Sequence, residues 1–170
     1  GKNIELSIDF RLQSLAYKEL KEEFITRRAK SASIVVLDVD TGEVLAMANQ
    51  PSYNPHNRGN LTDFSVLRNR AITDVFEPGS PIKAFTVAAA LESGSYVPDT
   101  LIETGPGWMM VEGKEVQDIL NYGTLDLTRV ITKSSNIGAS KIAFDIGAEA
   151  IRNVLERVGM GQVSGTSFPG

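Results

Sequence analysis

Apolar and polar residues recur along this chain with two different periods. Leu12, Leu15, Ala16, Leu20 and Phe24 return at three- and four-residue intervals between charged positions. That spacing predicts an amphipathic helix from about Asp9 to about Arg28, with Asp9 as its N-cap. The pattern then changes. Ser33 to Leu37 is apolar and β-branched, Glu43 to Ala48 is a second apolar run, and Asp40-Thr41-Gly42 between them is turn chemistry. The two runs read as an antiparallel β-hairpin. A hairpin directly after a helix favours an antiparallel α+β architecture over a doubly wound one.

Asn49 to Asn60 carries Pro51, Pro55 and Gly59 among its asparagines and reads as loop. A short helix is expected over about Asp63 to Ile72. Ser80 to Glu92 is the next, with Pro81 in its first turn and Gly94 just past its end, the usual placement of both residues. Gly105-Pro106-Gly107 and Glu112-Gly113-Lys114 divide Leu101 to Val116 into short strands. Leu125 to Thr132 and Ile137 to Ile146 read as two helices meeting at Lys133-Ser134-Ser135-Asn136. Ile151, Val154, Leu155 and Val158 mark one more, closed by Gly159. No internal repeat or domain-scale linker interrupts the 170 residues, which fit one domain.

Composition narrows the functional classes. With 42% hydrophobic and 22% charged residues the chain is ordinary for a globular domain. A net charge of −4 and no basic run argue against nucleic acid as a partner. There is no cysteine, so thiol catalysis is excluded, and the one histidine, His56, lies in a Pro/Asn-rich loop and reads as solvated. Zinc sites built on several His or Cys are out, and no metal or other cofactor is expected. No apolar run approaches the ~20 residues that span a bilayer, and the N-terminus lacks the apolar core of a signal peptide.

The chemistry centres on Ser80 and Lys83. They stand three apart at the start of an apolar, alanine-rich helix, so the hydroxyl and the amine share a face. A serine becomes a nucleophile when a base takes its proton, and an unprotonated lysine is such a base. The bland alternative is that Ser80 only caps the helix ahead of Pro81. Lys83 weighs against it, because a cation in the first turn faces the positive end of the helix dipole. If partly buried as well, its amine is pushed towards the neutral form that a base requires.

Ser80 is the only serine with a lysine three residues on. A Ser-x-Asn element occurs twice, as Ser52-Tyr53-Asn54 in the proline-flanked loop and as Ser134-Ser135-Asn136 at the helix junction. In the second, Ser134 could relay a proton and the Asn136 amide offers both a donor and an acceptor. Its bland alternative is N-capping of the following helix by Ser135 or Asn136.

Phe76-Glu77-Pro78-Gly79-Ser80 with Lys83, followed by Lys133-Ser134-Ser135-Asn136, closely resembles the transpeptidase domain of class B penicillin-binding proteins. Ile8 to Gln13, Asp40 to Met47, Tyr53-Asn54-Pro55, Asn69-Arg70-Ala71, Ser140 to Ala143 and Phe168-Pro169-Gly170 extend the resemblance nearly end to end. It looks most like the division-specific, septal branch from Gram-negative bacteria. The resemblance implies an α+β fold shared with serine β-lactamases, an antiparallel sheet with flanking helices. It also implies that Ser80 attacks the D-Ala-D-Ala end of a peptidoglycan stem peptide, releases the last D-alanine and passes the acyl group to a neighbouring stem. Lys83 would be the base, Ser134 the proton relay, Asn136 a contact for the substrate amide and for Lys83, and the Ser80 backbone N–H part of the oxyanion hole. β-Lactams would acylate Ser80. Divisome membrane proteins, including a glycosyltransferase, would be partners of an inner-membrane protein whose catalytic domain faces the periplasm.

Two departures stand out. Pro81 follows the serine and Ala84 the lysine, where the family commonly has Thr or Met and then Pro. No Lys-Thr-Gly or Lys-Ser-Gly occurs anywhere, although in the family that element lies on a later strand and binds the substrate carboxylate. Residues 1–170 are therefore expected to be the N-terminal portion of one incomplete transpeptidase domain, cut before that strand and inactive alone. A serine β-lactamase or β-lactam sensor would share the nucleophile, and a non-catalytic scaffold or binding fragment would keep only the fold. Joint retention of Ser80, Lys83, Ser134 and Asn136 favours the transpeptidase.

Overall fold

Asp9 starts the first helix as expected. Its Oδ1 accepts from the backbone N–H groups of Arg11 (2.8 Å) and Leu12 (3.1 Å), which have no partner inside the helix. Helix α1 runs over Phe10–Thr26 and buries Ala16 and Leu20. The structure, a computed structural model, describes residues 3–57, 59, 61–163 and 165. Asn60 at the end of the expected loop and Phe168-Pro169-Gly170 lie outside the described residues.

Strands β1 (Ala32–Leu37) and β2 (Val44–Gln50) form the expected antiparallel hairpin, with Ile34 opposite Ala48 and a register shift after Val36. The Asp38 carboxylate accepts from the N–H groups of Asp40 (3.0 Å) and Thr41 (2.8 Å), and Gly42 takes the left-handed turn position at φ 75°. Helix α1 closes the second edge of β2. The Asp9 N–H donates to the Leu45 carbonyl (2.9 Å), and the Gln13 side-chain amide both donates to and accepts from Met47. An edge occupied in this way offers no free ladder to another chain.

Two expectations are corrected in this first compact unit, which extends to Phe76. Strand β2 continues through Asn49 and Gln50, because the Asn49 side chain substitutes for apolar packing by accepting from Ser33 Oγ (2.7 Å) and from the Ala71 N–H (2.9 Å). The helix expected over Asp63 to Ile72 is two short pieces, a 3₁₀ turn at Phe64–Leu67 and helix α2 at Arg70–Thr73. Arg68 between them is extended, and the Asn69 side chain accepts from Asn49 Nδ2 (2.9 Å). Asn69 is thus committed to the hairpin.

The second compact unit, Glu77–Gly165, has its own core. Helix α3 (Ile82–Glu92) packs on helix α5 (Asn136–Arg157). Val87, Ala90, Ile102, Leu125, Leu127, Val130, Ala139 and Ile142 form one buried cluster between the helices and a small ladder. That ladder pairs β3 (Leu101–Glu103) with β6 (Thr124–Asp126), and a second one pairs β4 (Trp108–Val111) with β5 (Lys114–Gln117), both antiparallel. The described residues thus carry helices together with three two-stranded antiparallel pairings, an α+β arrangement.

Strand β6 corrects another expectation, that of a helix beginning at Leu125. Its side chain is buried opposite Ile102, and helix α4 starts only at Leu127–Thr132 because the Asp126 carboxylate caps it through the Arg129 N–H (2.7 Å). Helix α5 is interrupted at Gly147, whose φ of 81° is not helical. The two stretches that the apolar spacing predicts, Ile137 to Ile146 and around Ile151 to Val158, lie on either side of it.

Candidate active site

Local chain chemistry builds the site from two helix starts and one helix end. Gly79, at φ 67°, turns the chain into Ser80 and Pro81. The first bonds of α3 are short-range: Ile82 N–H to Gly79 O (3.2 Å), Lys83 N–H to Ser80 O (3.0 Å) and Ala84 N–H to Pro81 O (3.2 Å). Pro81 occupies the cap position with helical dihedrals and loses nothing by lacking an N–H there. The capping alternative for Ser80 therefore falls away. Its hydroxyl points instead towards Lys83 and Ser134.

The Ser134 turn is a helix ending and a helix start set back to back. The Ser135 N–H bonds to Val130 O and the Ser134 N–H to Ile131 O, both at 2.9 Å. These are the paired bonds of a Schellman ending, whose penultimate position takes the left-handed conformation. Glycine usually fills that position, yet here it is Ser134, at φ 55°. A non-glycine residue is strained there by roughly 1–2 kcal/mol, and such strain is concentrated at functional sites. The next residue, Ser135, caps α5 through the Gly138 N–H (2.8 Å). The capping alternative thus holds for Ser135, which leaves Ser134 and Asn136 on either side of it for other work.

Those residues converge on Lys83, which is 8% exposed. Its Nζ lies 3.2 Å from Ser80 Oγ, 3.0 Å from Ser134 Oγ, 2.6 Å from the Ser134 carbonyl and 2.6 Å from Asn136 Oδ1. The two hydroxyls are themselves 2.9 Å apart, closing a triangle of Ser80, Ser134 and Lys83. The carbonyl and the amide oxygen can only accept. A neutral amine has two N–H bonds and one lone pair, so those two oxygens engage both N–H bonds. In that neutral form the one lone pair is left to accept a hydroxyl proton. Burial pushes the Lys83 pKa down from 10.5, opposed in part by the negative charge of Asp118.

Asn136 is held in one orientation. Its Nδ2 donates to the Gln117 carbonyl (2.7 Å), which commits Oδ1 to Lys83. A shallow groove of about 300 Å³ continues from Lys83 and Asn136 along Thr86, Val116, Ala139 and Ser140. All four side chains singled out from the sequence therefore meet within one unit. The other Ser-x-Asn element is occupied locally, with Asn54 Oδ1 accepting from the His56 N–H (2.9 Å), and His56 is exposed.

Two residues of this site had gone unread. Asp118 receives the Ser135 hydroxyl (2.6 Å) and the N–H groups of Asn136 (2.5 Å) and Ile137 (3.1 Å). No spacing rule links it to a turn so far along the chain. Gly138 lies where a Cβ would meet Val130 Cγ2 at 2.7 Å and Ser135 Oγ at 3.1 Å. An isolated glycine in a helical pattern was the available signal.

With this fold and this cluster of Ser80, Lys83, Ser134 and Asn136, the chain belongs to the penicillin-binding protein transpeptidase domain family, whose sequence profile matches residues 32–170. It is 44% identical over all 170 residues to the probable peptidoglycan D,D-transpeptidase PbpC of Pseudomonas aeruginosa, of which it covers 30%. It is also 44% identical over 168 residues, 99% of the chain, to the peptidoglycan D,D-transpeptidase FtsI of Escherichia coli K12, of which it covers 28%. The solved apo TP domain of penicillin-binding protein 3 from Burkholderia pseudomallei matches with a TM-score of 0.82 and 41% identity, over the whole chain and 46% of that structure. A peptidoglycan glycosyltransferase structure from Burkholderia ambifaria matches with a TM-score of 0.82 and 43% identity, over 98% of the chain and 48% of the other. The chain spans less than a third of these relatives' length and about half of the solved structures it matches.

Proposed function

We propose that residues 1–170 are the nucleophile-bearing, N-terminal part of a single transpeptidase domain that cross-links peptidoglycan stem peptides through an acyl-enzyme at Ser80. The observation that carries this reading is the closed triangle of Ser80 Oγ, Lys83 Nζ and Ser134 Oγ, all within 3.2 Å. The family profile running from β1 through the last helix supports treating both units as parts of one domain.

In the first step the Ser80 proton passes to the Lys83 lone pair as Oγ attacks the carbonyl of the penultimate D-alanine. Negative charge develops on that carbonyl oxygen, where the Ser80 backbone N–H, at the positive end of α3, is one stabilising donor. As the C–N bond breaks, the departing D-alanine nitrogen takes the Ser134 hydroxyl proton. Ser134 is reprotonated from the Lys83 ammonium. The acceptor amine of a neighbouring stem then runs the sequence in reverse, and Ser80 recovers its proton. Asn136 Nδ2 or Oδ1 contacts the substrate amide while holding Lys83.

The lysine that binds the substrate carboxylate, and the second oxyanion donor, come from the remaining length that the relatives possess. Exposed Val35 and Leu37 on β1 support further strands joining this hairpin. By the same likeness the protein acts in septal cell-wall synthesis beside divisome membrane proteins including a glycosyltransferase, anchored in the inner membrane with this domain in the periplasm. No helix among the described residues is long and apolar enough to cross a membrane. β-Lactams acylate Ser80 as mimics of the D-Ala-D-Ala end.

The test is labelling of the complete protein with a fluorescent penicillin, followed by peptide mass mapping. One equivalent bound at Ser80 and retained for hours is expected, with no label on Ser80→Ala. Rapid turnover of the drug would instead indicate a β-lactamase, and label elsewhere would remove Ser80 from the mechanism.

A further inference from the structure

Among the described residues the hydrogen bonds around this site include one carboxylate, Asp118, which bonds to the turn and not to Ser80, Lys83 or Ser134. Asp118 follows β5 directly and lies against the N-terminus of α5. Its Oδ1 accepts from the backbone N–H groups of Asn136 (2.5 Å) and Ile137 (3.1 Å), and its Oδ2 from the Ser135 hydroxyl (2.6 Å). Ser135 is fully buried, and its own Oγ simultaneously caps Gly138. The carboxylate thus grips the second and third residues of the Ser134-Ser135-Asn136 turn, while the Gln117 carbonyl, one residue earlier, grips the Asn136 side chain. Beside the helix-ending bonds to α4, the contacts that hold the Asn136 side chain and the first N–H groups of α5 come from this two-residue segment.

We propose that Asp118 is the positioning residue of the acyl-transfer site, its charged carboxylate holding Ser134 and Asn136 against Lys83 through the start of α5. The inference rests on the transpeptidase reading for the reaction it serves. Two physical consequences separate anchoring from charge. Charge-assisted hydrogen bonds are stronger than neutral ones, so a neutral side chain of the same shape holds the turn less firmly. Removing the negative charge also makes the Lys83 ammonium easier to deprotonate, because Asp118 alone opposes the downward push of burial.

The other charged groups on elements packed around Lys83 are bonded elsewhere or exposed. On α5, Lys141 donates to the Glu103 carbonyl (2.6 Å), Asp145 accepts from the Tyr96 hydroxyl (2.8 Å) and Arg157 pairs with Glu92 of α3. On β5, Glu115 accepts from the Gln117 side chain and Lys114 is exposed, as is Lys133 at the turn.

Asp118→Asn and Asp118→Glu in the complete protein test this. The rate of penicillin acylation is followed against pH, and the titration of Lys83 is followed by ¹³C-NMR with lysine labelled at Cε. With Asp118→Asn the high-pH plateau should fall on the order of 10²-fold, as expected for a displaced catalytic group. Its midpoint, and the Lys83 titration, should move to lower pH. Asp118→Glu keeps the charge, so its midpoint should stay near wild type while the plateau falls. A wild-type plateau in Asp118→Asn, or a Lys83 titration that does not move, overturns the proposal. An unlabelled Ser80 in the wild type would instead defeat the transpeptidase reading. The Lys83 titration would still decide the role of Asp118.

Discussion

Two tripeptides in this chain share the pattern Ser-x-Asn and have different fates. Ser52-Tyr53-Asn54 lies between two prolines, and its asparagine bonds to the backbone two residues on, at His56. Ser134-Ser135-Asn136 closes one helix and opens another. There the first serine is forced into a left-handed conformation, the second becomes a cap, and the asparagine is held at both ends of its amide. The same side chains spend their hydrogen-bonding capacity on a local turn in one case and on a lysine from another helix in the other. Chemistry arises where local backbone demands are met by a neighbour, leaving the other groups free to face outward.

That comparison can be broken most sharply at the nucleophile. Ser80→Ala in the complete protein should abolish penicillin labelling. Residues 1–170 alone should label negligibly even with Ser80 present, since losing one oxyanion donor costs ~10²–10³ in rate before any folding defect. Stoichiometric labelling of the isolated chain at Ser80 would show that the carboxylate-binding strand is dispensable.

Next in size is Asn136→Ala, which removes the side-chain donor to the Gln117 carbonyl and one of the four oxygens around Lys83. Acylation should slow on the order of 10²-fold, as for a misplaced catalytic group. Asn54→Ala should stay close to wild type, and the reverse ranking would mean that the loop tripeptide is the functional one. The pH dependence follows the same division. The proposed mechanism requires neutral Lys83 for acylation, and burial lowers its pKa from 10.5. The acylation rate should rise with pH and level off below 10.5. Stability has the same sign. The cost of a buried ammonium is present in full below the folded-state pKa and disappears as pH rises towards 10.5. A rate that falls as pH increases through neutrality would rule out a lysine base.

Smaller effects test the turn itself. Ser134→Gly should impair acylation yet leave the unfolding free energy at or above wild type, because glycine relieves roughly 1 kcal/mol of left-handed strain. A clear loss in denaturant midpoint would show that the hydroxyl stabilises more than the conformation costs. Gly138→Ala should destabilise by about 1–3 kcal/mol through overpacking against Val130. An unchanged midpoint would mean that α4 and α5 can separate freely.

Much of this was legible along the chain. The Asp9 cap, the hairpin about Asp40-Thr41-Gly42 and the paired helices around Ser134 follow from periodicity and turn chemistry, which act over a few residues. Ser80 and Lys83 were legible for the same reason, since a helix makes residues three apart neighbours. Errors fell where a distant partner outweighed local preference. Leu125 belongs to a strand because Ile102 stands opposite it. Asn69 ends a helix because Asn49 requires its side chain.

The sequence by itself singled out Ser80 and Lys83 as a candidate nucleophile and base, because they stand three apart at the start of one helix, and singled out Ser134 and Asn136 through the family resemblance. Only the tertiary structure decided that Ser134 and Asn136 reach Lys83, that Ser135 rather than Asn136 is the cap, and that Asp118 bonds to the turn. Those choices depend on hydrogen bonds between residues far apart in the chain, whose geometry the packing of α3 against α5 creates and no local pattern encodes.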